Sequence, residues 1–187
     1  MTEGADALQP LPALESERLR FRCFRPKDAE ALYPTLADPE VMRWWSRPPL
    51  ESLEATRAYL GKPGDPAWRA WYFTLKDSET ALGWVSTGEK RQGGVTEIGY
   101  MLAREHHGRG YAREAVARVI DHLFAVEGKR RVFADTDPDN RGSRKLLESL
   151  GFQLEGVLRH EWETHIGVRD TTLYGLIREE WKWPRPI

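Results

Sequence analysis

Between Leu102 and Gly128 the sequence turns through His106-His107-Gly108-Arg109-Gly110 and then enters a run with one apolar side. Ala112, Ala115, Val116, Val119, Ile120 and Leu123 recur at helical spacing, with Arg113, Glu114, Arg118 and Asp121 opposite them. A helix over residues 110–126, stopped by Gly128, is the strongest element the chain predicts. Its first turn presents unpaired amides and the positive end of the helix dipole. The two glycines let the backbone come close to a ligand where a side chain would not. With Arg104, Arg109 and Arg113 nearby, the segment describes a site for a diphosphate-like anion. A glycine-rich connector carrying solvated arginines has the same letters, so the loop alone leaves both readings open.

The elements before it narrow the fold. Leu19 to Phe24 alternates as a strand, holding Cys23 as a small core residue. Helical stretches follow from Pro26, with Pro34 as a kink or stop, from Asp38-Pro39, and over Leu53 to Leu60 before Gly61. Ala70–Leu75, Leu82–Glu89 and Val95–Leu102 are strands separated by turns only, the second at Gln92-Gly93-Gly94. Connections that short make them antiparallel neighbours, because a parallel crossover needs a dozen or more residues. After the helix come a strand at Arg131–Thr136, a helix from Ser143 to Leu150, and a strand pair over 152–165 and 171–178. The order predicts an α+β fold: a mixed, mostly antiparallel central sheet of about seven strands, with helices on both faces. Residues 1–13 read as a loose arm, its looseness extending towards Ser16, and 14–187 as a single domain.

Several functions are disfavoured. Twenty-eight Lys and Arg against twenty-nine Asp and Glu give a net charge of −1, so no global field attracts nucleic acid or an anionic membrane. One cysteine allows no internal disulfide, and with no leader-like or spanning apolar run the expected location is cytoplasmic. The third glycine of a dinucleotide fingerprint is replaced by Arg113, and no Walker loop or nucleophile elbow occurs. His160 and His165 stand one residue too far apart for the zinc-protease pair, so no metal is expected. Lys129-Arg130-Arg131 reads as a solvated helix exit.

The loop His107-Gly108-Arg109-Gly110-Tyr111-Ala112 resembles the pyrophosphate-binding signature of the GNAT superfamily, Arg/Gln-x-x-Gly-x-Gly/Ala, with His107 in place of the usual Arg or Gln. Asn140-Arg141-Gly142-Ser143 and Leu150-Gly151-Phe152 resemble that family's next helix and its Gly-Phe end. Ser16-Glu17-Arg18-Leu19, Asp38-Pro39-Glu40-Val41-Met42, Glu155-Gly156-Val157-Leu158-Arg159, Asp170, Tyr174 and Glu179-Glu180-Trp181 resemble its RimJ/RimL-like branch. The resemblance spans roughly residues 14 to 181. It implies a GNAT-like sheet and an enzyme that moves an acetyl group from acetyl-CoA, as co-substrate, to a primary amine by direct attack in a ternary complex. The acceptor would be a protein N-terminal α-amine or a small amine such as an aminoglycoside, polyamine or amino acid. A larger acyl group would go with an arginine near the acceptor, and a homodimer is allowed. The rival from another class is a non-catalytic acyl-CoA-binding module.

The resemblance also assigns residues. His107, Gly108, Arg109, Gly110, Tyr111 and Ala112 would hold the pyrophosphate, and backbone amides at Met101 and Leu102 the thioester carbonyl and pantetheine. Asn140 would bond the pantetheine arm, or serve as a plain loop or cap residue. Glu97 is the first candidate base, against a salt-bridged strand glutamate; Glu161 and Glu163 are second, since ungapped alignment puts Trp162 at the branch's catalytic glutamate. The tyrosine acid common in the superfamily falls on Leu147, and Ser143 matches the serine that takes this role in RimL-like members, unless its hydroxyl caps the helix. Trp44 and Trp45, then Tyr72 and Trp84, are candidate acceptor-pocket aromatics, against core packing.

Overall fold

A computed structural model describes residues 11–61, 68–90 and 93–182. Eight strands form one sheet, in the order β1-β2-β3-β4-β5-β6-β8-β7. β1 (Leu14–Glu15) and β2 (Leu19–Arg22) lead into three short helices, α1 (Asp28–Leu36), α2 (Pro39–Met42) and α3 (Leu53–Gly61). β3 (Trp68–Leu75), β4 (Ala81–Glu89) and β5 (Val95–Leu102) follow, then α4 (Tyr111–Ala125), β6 (Arg131–Thr136), α5 (Arg141–Ser149), β7 (Gln153–Thr164) and β8 (Gly167–Ile177). No helix among the described residues is long and apolar enough to cross a membrane.

β3, β4 and β5 pair antiparallel in sequence order, as their short turns require. The exception is β5 against β6, which runs parallel through the α4 crossover and lasts for three register pairs only: Val95 with Arg131, Thr96 with Val132, Glu97 with Phe133. Beyond Glu97 the strands part. β5 continues against β4 to Leu102, while β6 continues against β8 to Thr136. The sheet therefore opens like a V in its middle.

The alternation of each strand sorts the two cores. Ile98 and Leu102 of β5, Val132 and Ala134 of β6, and Tyr174 and Leu176 of β8 face α4 and its buried Val116, Val119, Ile120 and Leu123. Met101, Trp84 and Tyr72 face the other way, against Leu32, Leu36 and Met42 of the first helices. Leu147 belongs to the α4-side core and is fully buried. The position that carries an acid elsewhere in the superfamily is here a packing residue.

Three local expectations change. The arm proves structured from Leu14: Leu14 and Glu15 pair with Phe21 and Arg20, and Leu14 is buried. Two residues are too few for periodicity to announce a strand, and its pairing is what creates it. Residues 1–10 of the expected arm, and Gln92 of the turn before β5, lie outside the described residues. Pro34 does not end α1, which runs on to Leu36. The terminal pair is longer on its second strand than expected, because the turn tightens to Thr164–Gly167.

Truncating Leu147 to Ala removes a side chain with no room to be replaced. Urea unfolding should show a loss of about 2–5 kcal/mol with an unchanged m-value, and a loss under 1 kcal/mol would place Leu147 outside the core.

Candidate functional site

Two clefts open on the V. The larger, about 700 Å³, lies between the end of β5, the loop into α4 and the start of α5; Met101, Leu102, His107, Gly108, Ala112, Asn140 and Ser143 line it. The smaller, about 370 Å³, lies on the α1–α3 side of the sheet and includes Glu97, Trp68, Asp135, Trp162 and Arg169. Trp44, Trp45, Tyr100, Asn140 and Ser143 line both, so the two meet end to end at the start of α5.

The loop of the larger cleft is built around two left-handed residues, Gly108 (φ 76°) and Gly110 (φ 78°). At Gly108 a Cβ would meet nothing within 4 Å, so the space beside it is open. Gly110 stands as N-cap of α4 without a side-chain cap, leaving the first amides of that helix to whatever fills the cleft. This open, amide-lined turn fits a pyrophosphate. His107, which replaces the usual Arg or Gln, turns back to the carbonyl of Leu102 (2.9 Å from Nε2) and ties the loop to the strand. Arg109, Gly110 and Tyr111 share the turn without lining the cleft; the Tyr111 ring packs against the core beneath the Arg18 guanidinium, 4.6 Å away.

Arg18 holds this loop from outside. Its Nε meets Glu114 at 2.6 Å, its own N–H donates to Glu114 at 2.8 Å, and one terminal nitrogen donates to the Arg109 carbonyl at 3.1 Å. Ser16 adds a hydroxyl to the same Glu114 oxygen at 2.7 Å. Burial alone would push the Glu114 carboxyl up, but these donors hold it below the usual glutamate range. The resulting stability is present above pH ~4.3 and lost as pH falls through the lowered value.

Backbone direction decides which amides face the V. Ala103 N–H donates to Leu82 and Lys90 N–H to Val95, so the odd-numbered residues of β5 bond towards β4. The backbone groups of Tyr100 and Leu102 therefore face the gap. Met101, expected to offer its amide, lines the cleft while its amide points into the ladder.

At the junction Asn140 is the N-cap of α5, its Oδ1 accepting from the Ser143 N–H at 3.1 Å. That removes the capping duty expected of the Ser143 hydroxyl. Its Oγ instead lies 2.7 Å from the Tyr100 hydroxyl. Burial pushes that hydroxyl well above the usual tyrosine range, which keeps its proton in place.

In the smaller cleft Glu97 pairs with Lys90 at 3.4 Å. Burial first, and the nearby charge of Asp135 second, push its carboxyl up, against the pull of Lys90. Asp135 lies on the same face because it stands two residues beyond Phe133, the register partner of Glu97. Asp135 accepts the Trp162 indole N–H at 2.8 Å and makes no ion pair among the described residues. Trp162 reaches it through a two-residue bulge. Leu158 pairs with Thr171 and Trp162 with Arg169, where an unbroken ladder would put His160 opposite Arg169. His160 takes the strain of the bulge at φ 54°. Glu161 and Glu163 are exposed and outside both clefts. Arg169 is neutralised by Asp137 at 2.7 Å and Asp139 at 2.8 Å. Trp45 stacks near Trp84 (5.8 Å), while Tyr72 and Trp84 are core. Asp135, Trp68, Trp162, Tyr100 and Arg18 were not read from the sequence as site residues; Trp162 figured there only as the residue at the position of the branch's catalytic glutamate, and Arg18 only within a motif. Only register and a bulge bring the first four to the site.

Comparison with known proteins follows the same lines. The acetyltransferase (GNAT) domain model matches residues 18–153. The uncharacterized N-acetyltransferase p20 of Bacillus licheniformis is 30% identical over 176 residues, which is 91% of this chain and 99% of that one. The uncharacterized N-acetyltransferase YoaA of Bacillus subtilis (strain 168) is 29% identical over 174 residues, 89% and 97% of the two chains. A crystal structure of a GNAT-family acetyltransferase from Bacillus anthracis superposes with a TM-score of 0.82 at 25% identity, covering 90% of this chain and 100% of that one.

Removing the outer clamp should loosen the loop without unfolding the domain. In Arg18→Ala, amide hydrogen exchange at residues 109–113 is expected to accelerate while the melting temperature falls by only a few degrees, as for the loss of a part-exposed ion pair. Unchanged exchange would mean that the glycine turn holds itself.

Proposed function

We propose, from the premise that this chain belongs to the acetyltransferase (GNAT) family, that it acetylates a cationic primary amine in a ternary complex at the V of its sheet. The chain is an acetyl-CoA-dependent N-acetyltransferase. The proposal adds the RimJ/RimL-like branch, one domain over 14–187, the residues at work and the nature of the acceptor. The observation that carries it is the end-to-end meeting of the two clefts at Tyr100, Asn140 and Ser143. A donor laid along the larger cleft, with its pyrophosphate at Gly108–Ala112, reaches an acceptor standing in the smaller one.

In this reading the Tyr100 and Leu102 backbone groups facing the gap orient the pantetheine and thioester, with the Leu102 N–H as the donor to the carbonyl oxygen. Glu97 accepts the proton that the attacking nitrogen releases as the C–N bond forms and the C–S bond breaks. A thiol with a pKa of ~8.5 leaves as thiolate at modest cost, so a hydrogen bond from Ser143 suffices where other members use an acid. On the acceptor side, Asp135 without an ion pair and the indoles of Trp44, Trp45, Trp68 and Trp162 favour a cation over an acceptor with a carboxylate beside its amine.

Donor binding is tested by thermal unfolding with acetyl-CoA, CoA, NADH and ATP. Stabilisation by acetyl-CoA and CoA of about 2.7 kcal/mol is expected at ~100 times the dissociation constant. Gly108→Asp should abolish it, because Asp tolerates the left-handed backbone, meets open space and places a negative charge where the phosphates belong. No shift with either ligand in the folded wild type would refute the donor assignment. For the base, kcat should fall on an acid limb lying above the ordinary glutamate value of ~4.3, because Glu97 is raised. Glu97→Gln should remove that limb and lower kcat by about 10²–10⁴; a limb that survives the substitution belongs to another group.

A further inference from the structure

The hydroxyl pair at the junction has no structural duty that accounts for it. Asn140 already caps α5, so the helix does not use the Ser143 hydroxyl. Nor does the Tyr100 ring need an oxygen for its packing, since it lies partly buried against the apolar core on the α4 side. Yet the two oxygens approach to 2.7 Å at the one place that lines both clefts, and each belongs to a different side of the V. Tyr100 comes from β5 and Ser143 from the first turn of the helix that follows β6.

Either oxygen can be the donor in this pair, and each choice leaves a different proton free. Tyr100 has one proton and two acceptors in reach, Ser143 Oγ at 2.7 Å and the Ser143 carbonyl at 3.4 Å; the shorter contact is a normal O–H···O bond and the longer is marginal. If Tyr100 donates to Oγ, the Ser143 proton cannot point back at the tyrosine and is turned outward. A hydroxyl that accepts one hydrogen bond also becomes a better donor of its own.

We propose that Tyr100 is a positioning residue that aims and strengthens the Ser143 hydroxyl as hydrogen-bond donor to the sulfur of the departing CoA thiolate. This rests on the acetyltransferase reading above and adds to it a residue outside the signature motif. Neither hydroxyl surrenders its proton. The electron pair of the breaking C–S bond goes to sulfur, Ser143 O–H stabilises it there, and the proton released by the amine to Glu97 returns to the thiolate through solvent. The hold on the Tyr100 proton suits the role, because a phenol raised above the usual tyrosine range keeps a proton to donate.

The test uses CoA itself and needs no acceptor. The thiolate fraction of enzyme-bound CoA is followed by its ultraviolet absorbance during a pH titration of the full-length protein. The wild type should bind CoA with a thiol more acidic than in free solution. Tyr100→Phe and Ser143→Ala should each reduce the bound thiolate-to-thiol ratio by about tenfold at fixed pH, and the double variant should lose no more than either alone, as for groups acting as one unit. Melting temperatures of the CoA complexes control for folding, and Tyr100→Phe keeps the ring and its packing. A bound thiol that titrates identically in the wild type and Tyr100→Phe would overturn the inference while leaving the enzyme's class intact. Additive losses in the double variant would overturn it too, by giving Tyr100 an effect of its own. Absence of CoA binding would bring down this inference together with the donor assignment, and the thermal-shift measurement reports that case separately.

Discussion

Three register pairs between β5 and β6 are all the parallel pairing among the described residues, and the rest of the structure depends on their ending where they do. A ladder that ran on to Leu102 would close the gap, pair the Tyr100 and Leu102 backbone with β6 and leave nowhere for a ligand to cross the sheet. A ladder that never formed would leave α4 without a partner strand to anchor its crossover. Backbone polar groups in an interior are almost always paired. The backbone of Tyr100 and Leu102 lies beyond the end of the β5–β6 ladder, and an amide-bearing ligand such as pantetheine is suited to bond there as a strand would.

Around that gap the molecule divides its labour by charge. The larger cleft is bounded by a turn of amides with the α4 dipole behind it, kept in shape by Arg18, from the bend before β2, through its bonds to Glu114 of α4 and to the Arg109 carbonyl. The smaller cleft is acidic and aromatic, with Arg169 paired to Asp137 and Asp139 and Arg43 paired to Glu40. A chain of net charge −1 thus contains two local fields of opposite sign, which suit the polyanionic donor and the cationic acceptor proposed above.

The fold was legible wherever it rested on local chemistry. Short turns dictated the β3–β5 meander, the apolar stripe from Ala112 to Leu123 gave α4, and Gly108 and Gly110 marked the loop. What remained hidden depended on register. Glu97 was visible as a strand glutamate, but Asp135 beside it is set by the pairing of Glu97 with Phe133, which no single-strand pattern reports. Trp162 enters the cleft only because two extra residues in β7 move it opposite Arg169. The Ser143 hydroxyl looked like a helix cap because serine so often is one, until Asn140 took that place. Arg18 looked like an ordinary surface arginine; its target, Glu114, is 96 residues away.

The bulge at His160 also acts on the edge of the sheet. β7 is the terminal strand of the sheet, a twelve-residue strand whose outer edge would offer an unbroken row of backbone donors and acceptors to any extended chain that met it. The left-handed His160 and the two surplus residues interrupt that row at its middle, and Arg159, Glu161 and Glu163 crowd the interruption with charge. The same kink that turns one indole inward therefore also breaks up the exposed edge of the sheet.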